Sequence, residues 1–430
     1  MKAREKLEQA LARIADPQGE GARACLTVYR EAATAAADAA DARARSSISL
    51  GPLDGVIVSI KDLFDVAGEV TRAGSKLLAE EGKPATADAP AVRRLRAGGA
   101  VIVAKTNMTE FAYSAIGANP HFGTPGNPAD RKRVPGGSSS GAVVAAADGM
   151  CEVSIGSDTG GSTRIPAAIC GLVGFKPSRE RITIEGAFPL SQSIDSIGPI
   201  ARTVADCFKA DAVMAGDDYA PLEPAPLAGL RVGIAQGAPI EKLDDTVAKR
   251  FPQAIERLEK ADVRLTHEKL PLLDEVARVN SRGGVQPAEA YALHRDRLER
   301  RADAIDPNVR ARLERSSGIT AADFIWMVNE RAALIRAMDA RLADIDVLVM
   351  PTSPIVAPTM DEVAVQDEFF RKNAMLLRNT SIWNFFNCCA ISLPLPREGG
   401  LPVGLMLVMR NGQDHRLFRI AAAVERLLGA

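Results

Sequence analysis

Apolar positions along the chain follow two rhythms. Short β-branched runs bounded by Gly, Pro or Asp, at 56–60, 101–104, 153–155, 230–234, 347–351, 390–394 and 403–408, predict buried strands. Elsewhere apolar residues recur every three or four positions and predict helices. Residues 1–50 are rich in Ala, Arg and Glu, with Leu7, Leu11 and Ile14 on one face, and predict two helices on the outside of the fold. A helix over 88–97 has Asp88 at its cap, Pro90 in its first turn and Gly98 as its stop. Further helices are predicted from Thr106, as a cap, to Phe111, over 142–147, from about Pro166, and at the end over 416–428. Residues 217–226, rich in Pro and Asp, predict a loop, and 241–343 are mostly helical and charged.

Strand, helix and strand in alternation imply an α/β fold, a sheet with helices packed on it. Strands on both sides of the helical middle argue for one continuous sheet in a single large domain over 1–430. Its parts are N-terminal helices (1–50), a core (51–210), a variable helical insertion (215–345), and C-terminal strands and helix (346–430).

Composition narrows the function. Apolar residues make up 47% and charged residues 25%, which is ordinary globular usage. Lys and Arg total 53 against 54 Asp and Glu, so a chain-wide basic footprint for nucleic acid is excluded. The charge run from Arg295 to Arg301 reads as a solvated helix face. Six cysteines lack any Cys-x-x-Cys spacing and four histidines lie far apart, so no metal site is predicted and the thiols read as packed and reduced. No run approaches the ~18 apolar residues of a membrane span, and Met1 leads directly into an amphipathic helix pattern. The expectation is a soluble, cytoplasmic protein without membrane or nucleic-acid partners; its exposed N-terminal helices offer a homodimer surface.

Three places carry candidate chemistry. Lys61 ends an apolar strand, where burial lowers an amine's pKa and makes it a base. The run Pro135-Gly136-Gly137-Ser138-Ser139-Ser140-Gly141 opens a helix pattern with three hydroxyls on a free backbone. In Ile155-Gly156-Ser157-Asp158-Thr159-Gly160-Gly161-Ser162, a strand ends in a turn whose backbone N–H groups, from Thr159 to Ser162, can converge on one oxygen.

Together, Gly55–Lys61-Asp62, Gly136-Gly137-Ser138-Ser139 and Gly156–Ser162-Thr163-Arg164-Ile165-Pro166-Ala167 closely resemble the amidase signature family. The likeness continues through Gly171-Leu172-Val173-Gly174-Phe175-Lys176-Pro177 and Asp195-Ser196-Ile197-Gly198-Pro199, and more loosely to Gly400–Gly404. The resemblance implies a large twisted mixed sheet covered on both faces by helices, with no cofactor. It implies a Ser–cis-Ser–Lys triad, with Ser162 as nucleophile, Ser138 after a cis peptide as bridge and Lys61 as base. Backbone N–H groups of Thr159, Gly160, Gly161 and Ser162 would form the oxyanion hole, and Ser139, Arg164, Phe188 and Trp383 would lie near substrate. The implied reaction is hydrolysis of a small-molecule amide through a Ser acyl-enzyme. The same fold also serves as the amidase subunit of tRNA-dependent amidotransferases. A different class stays open: Gly137-Ser138-Ser139-Ser140-Gly141 satisfies the Gly-x-Ser-x-Gly elbow of an α/β-hydrolase-type esterase with Ser139 as nucleophile.

Overall fold

The computed structural model describes residues 1–397 and 399–429. Their strands are β1 (Cys25–Val28), β2 (Ile57–Lys61), β3 (Val101–Thr106), β4 (Val153–Asp158), β5 (Val173–Lys176), β6 (Ser196–Ala201), β7 (Arg231–Ala235), β8 (Arg264–Glu268), β9 (Val347–Pro351), β10 (Cys389–Pro394) and β11 (Gly404–Met409). All belong to one sheet in the order β1-β3-β2-β4-β6-β5-β10-β11-β9-β7-β8. β2 runs parallel to β3 and β4, whereas β4, β6, β5, β10, β11 and β9 alternate in direction. The sheet is therefore mixed, as the family resemblance implies.

Alternating residues divide the core between two faces. Val58, Ile60 and Ile102 pack with Val92 and Leu95 of helix Pro90–Ala97, Val204 and Cys207 of Val204–Ala215, and Leu417 and Phe418 of Asp414–Leu428. Ile57, Val101 and Val103 point the other way, against Leu7 and Leu11 of Ala3–Ala15, Ala33 and Ala37 of Arg30–Arg45, and Val143 and Val144 of Ser140–Ala147. A further cluster under helix Ala321–Arg341 joins Met327, Leu334 and Met338 to Leu348, Met350 and Trp383. All six cysteines are free and buried. Among the described residues, no helix is long and apolar enough to cross a membrane.

Several expectations from local pattern are corrected. Residues 1–50 hold β1 between their helices; an edge strand of four residues in an Ala-rich context leaves little periodic signal. β5 and β6 carry Gly174 and Gly198-Pro199, which read as turn residues. Their glycines admit close backbone neighbours instead: Thr163 O lies against Gly174 and Phe175 O against Gly198. β8 is a charged edge strand, half exposed and so without an apolar run. Asp88 does not cap its helix, since Ala89 holds that position and Asp88 accepts the Ala67 N–H at 2.9 Å. Thr106 stays within β3 and donates to Ile60 O at 3.3 Å, and only a three-residue 3-10 turn, Glu110–Ala112, comes after it.

Candidate active site

Lys61 closes β2, and the parallel β4 lies beside it with Ile155 opposite Ile60. Parallel neighbours deliver the segments after each strand to the same edge, the carboxyl end where α/β sheets build their sites. Ser162 sits in the turn from β4 to helix Arg164–Cys170, and Ser138 lies just ahead of helix Ser140–Ala147. The Gly137–Ser138 peptide is cis. A side chain at Gly137 would meet the Gly117 backbone, so only glycine lets these segments approach.

Lys61 and Ser138 are wholly buried and Ser162 is 6% exposed. Lys61 Nζ donates to Ser138 Oγ at 2.7 Å and to Ser157 Oγ at 2.9 Å. Burial pushes its pKa down to about 7, against the opposing pull of Asp195 and Asp158. Lys105 gives the contrast: it is equally buried near the end of the adjacent strand but forms an ion pair with Glu69 at 3.4 Å. Among the described residues no hydrogen bond joins Ser138 to Ser162.

The turn bearing Ser162 is built around Asp158. Its carboxylate accepts Gly161 N–H at 2.8 Å, Thr163 N–H at 3.1 Å and Thr163 Oγ1–H at 2.9 Å. Arg164 donates to it through Nη2 at 2.9 Å and Nε at 3.0 Å, and Asn384 Nδ2 adds a bond at 2.9 Å. Burial alone would raise this carboxyl, but the Arg164 charge and these bonds hold it below the usual carboxylate range. Gly161 adopts φ +133°, and a side chain there would run into Thr380, whose Oγ1 donates to Gly160 O at 2.6 Å. Behind the turn, Asp195 accepts Thr159 Oγ1–H at 2.5 Å and the N–H of Leu190 at 2.9 Å. Burial raises Asp195 to about 6.

This construction corrects part of the predicted site. The Gly161 N–H is committed to Asp158 and is not available to an oxyanion. The N–H groups of Thr159, Gly160 and Ser162 have no acceptor among the described residues. Arg164 is 0% exposed, and beyond Asp158 its guanidinium donates to Thr380 O, Asn384 Oδ1 and Met406 Sδ, so its donors are engaged within the protein around the turn. Trp383 is likewise 0% exposed, with Nε1 directed to Met350 Sδ at 3.3 Å inside an apolar cluster. Ser139 is buried and donates to Ser157 O at 3.4 Å. Residues 127–139 hold no strand, so the strand–turn–helix elbow an esterase nucleophile needs is absent there. Phe188 is half-buried, with its N–H on Leu63 O at 2.8 Å, two residues beyond Lys61.

Ser157, Asp158 and Asp195 were not predicted in these positions. Asp158 offered one local signal, an Asp at a strand end before Gly-Gly and hydroxyl residues, the composition of a side-chain-capped turn. Ser157 and Asp195 lie inside motifs that resemble the family, but their contacts with Lys61 and Thr159 join residues 96 and 36 positions apart and leave no local signal.

The Amidase family model matches residues 5–418. The 2-amino-5-chloromuconic acid deaminase of Comamonas testosteroni is 35% identical over 405 residues, 92% of this chain and 87% of the relative. A glutamyl-tRNA(Gln) amidotransferase subunit of Anaeromyxobacter sp. (strain K) is 36% identical, covering 99% of this chain and 93% of its own. The native peptide amidase of Stenotrophomonas maltophilia superposes with a TM-score of 0.83 at 27% identity, over 100% of this chain and 94% of that one. With a buried amine set against paired serines at its heart, the chain belongs to the amidase family, whose members hydrolyse amide C–N bonds.

Proposed function

We propose that this amidase acts on a small-molecule amide by a serine relay: Lys61 as base, Ser138 as proton carrier and Ser162 as nucleophile. The observation that carries the reading is the 2.7 Å contact between Ser138 and an amine held near neutrality by burial. Neutral Lys61 takes the Ser138 proton as Ser138 takes that of Ser162, and Ser162 Oγ attacks the amide carbon. The step requires Ser138 and Ser162 to close to hydrogen-bond distance around substrate, as catalytic contacts do in a Michaelis complex. The oxyanion receives backbone N–H groups of Thr159, Gly160 and Ser162, a class of interaction worth about 10²–10³ in rate per donor. Ser138 then returns a proton to the departing nitrogen, ammonia or an amine leaves, and water cleaves the acyl-enzyme to free the acid. Asp158 and Arg164 are positioning residues for the turn, and Ser157 steadies the Lys61 amine.

The test is ammonia release from a panel of small amides, with Ser162→Ala as blank. A loss on the order of 10⁴-fold or more supports the assignment; near-normal hydrolysis by the variant refutes it. A second reading rests on the amidotransferase relative, which matches 99% of this chain: the protein would then release ammonia from glutamine within a complex. Glutamine hydrolysis that needs a partner protein would favour it over a stand-alone enzyme. For a stand-alone enzyme we place the reaction in the cytoplasm, and the exposed Ile48 and Leu50 beside the N-terminal helices support a homodimer.

A further inference from the structure

The turn that offers the N–H groups of Thr159, Gly160 and Ser162 is anchored at both ends. Asp158, with Arg164 and Asn384 behind it, holds the end at Gly161 and Thr163. The other end is held from β6. Antiparallel pairing of β4 with β6 finishes at Asp158 opposite Ser196, which sets Asp195 across from Thr159. There Asp195 accepts Thr159 Oγ1–H at 2.5 Å, and Ser196 Oγ donates to Asp158 O at 2.8 Å.

Asp195 belongs in turn to a tight bend over 190–195. Its carboxylate accepts the N–H groups of Leu190 at 2.9 Å and Ser191 at 3.1 Å, and its own N–H bonds Ser191 O at 2.8 Å. A second carboxylate, from the helical middle, grips the same bend. Glu289 Oε2 accepts Ser191 Oγ–H at 2.5 Å and Ser193 N–H at 3.2 Å. Among the described residues these are the only side-chain bonds of Glu289. Its helix, Val285–Arg301, is fixed to the core: Val285, Ala290 and His294 are buried, and the His294 ring lies 4.0 Å from that of Phe111. Glu289 is therefore a firm support for the bend.

A continuous chain of contacts thus runs from the helical middle to the first residue of the oxyanion turn: Glu289 to Ser191, Ser191 to Asp195, Asp195 to Thr159. Hydrogen bonds to carboxylates are short and strong enough to transmit position. Position matters here, because a displacement of about 1 Å at a reacting centre can cost on the order of 10²-fold in rate. We propose that Glu289 is a positioning residue for the reaction: through Ser191 and Asp195 it fixes Thr159, so that the helical middle sets the alignment of the oxyanion N–H groups. This role rests on the serine relay proposed above and adds a remote residue to it.

The test follows ammonia release from propionamide, butyramide, valeramide and hexanamide, and the affinity of the same proteins for propylboronic acid. Boron accepts a serine Oγ to form a tetrahedral anion, so this probe reports the oxyanion N–H groups apart from amide binding. Glu289→Ala should lower kcat at least fivefold on the best of these amides, leave KM within twofold, and weaken the boronate by the factor lost in kcat. Glu289→Gln should recover most of both, since both bonds fall on one oxygen that an amide reproduces. Ser191→Ala should change kcat in the same direction, and the exposed Glu299→Ala on the same helix should change nothing. Glu289→Ala combined with Thr159→Val should lose less than the product of the two single losses, because both cut one chain of contacts. Each kcat is normalised to the folded fraction by circular dichroism, so loss of folded protein does not imitate the effect. Changes within twofold in both Glu289→Ala and Ser191→Ala overturn the inference. So do multiplicative losses in the double variant, a rise in KM that accounts for the whole effect, or a Glu289→Gln variant no better than Glu289→Ala. Failure of the relay itself shows differently, as turnover that survives Ser162→Ala or a parent enzyme that neither hydrolyses these amides nor binds the boronate, and it removes the inference with it.

Discussion

Buried arginines are held differently at the turn bearing Ser162 and in the helical middle. At the turn bearing Ser162 one buried ion pair is matched: Arg164 and Asp158 are both 0% exposed and joined at two points, with Asn384 and Thr163 filling the remaining positions. In the helical middle, Arg297 and Arg312 are half-buried and donate to the carbonyls of Leu293 and Tyr113, and Arg331 is buried on Phe385 O and Asn387 Oδ1. A matched and fully hydrogen-bonded ion pair fixes the geometry of the turn, whereas carbonyl and amide oxygens hold an arginine without a counter-charge. The division is between a paired buried charge at the turn and arginines held by neutral acceptors in the helical middle.

The largest expected effect that probes this division is the loss of turnover in Ser162→Ala, with the fold retained. Next is Asp158→Ala, which leaves Arg164 as an uncompensated buried charge and should cost about 3–5 kcal/mol in denaturant unfolding. A cost below about 1 kcal/mol would mean the network is not what holds the turn. Smallest is Lys260→Ala, which removes an exposed pair with Glu256 at 2.7 Å in the helical middle. Solvent screens such a pair, so the thermal midpoint should not move; a clear drop would show that surface charge in this region contributes to the fold.

The sequence exposed the reaction far better than the recognition. Lys61 ends a strand, Ser138 lies just ahead of a helix and Ser162 lies in a strand-to-helix turn, and the resemblance of their motifs to the amidase signature family is what joined them into one site. The strands expected at 56–60, 101–104 and 347–351 were legible because each is rich in β-branched or other apolar residues, and the observed β2, β3 and β9 are buried on both faces. β5 and β6 were not, because close packing demands Gly and Pro where a strand pattern wants branched side chains. Arg164 was expected near substrate from the family resemblance, and its helix turns it into the core onto Asp158. Arg297 could not be told from Arg295 by type or spacing alone; only the packing of helix Val285–Arg301 against Phe188 separates them.

The central claim is that Lys61 works as a neutral amine. Its pKa is lowered from 10.5 to about 7, so the base form is lost as pH falls through that value and gained as pH rises. The shift corresponds to a cost on the order of 5 kcal/mol for charging the buried amine. The most direct test is kcat/KM for one small amide across about pH 5.5–9.5, which reports groups of the free enzyme. The account predicts an acid limb centred near pH 7, falling about tenfold per pH unit below it and level above it. A rate that is flat across the range, or still climbing at its alkaline end as an ordinary lysine would require, contradicts it.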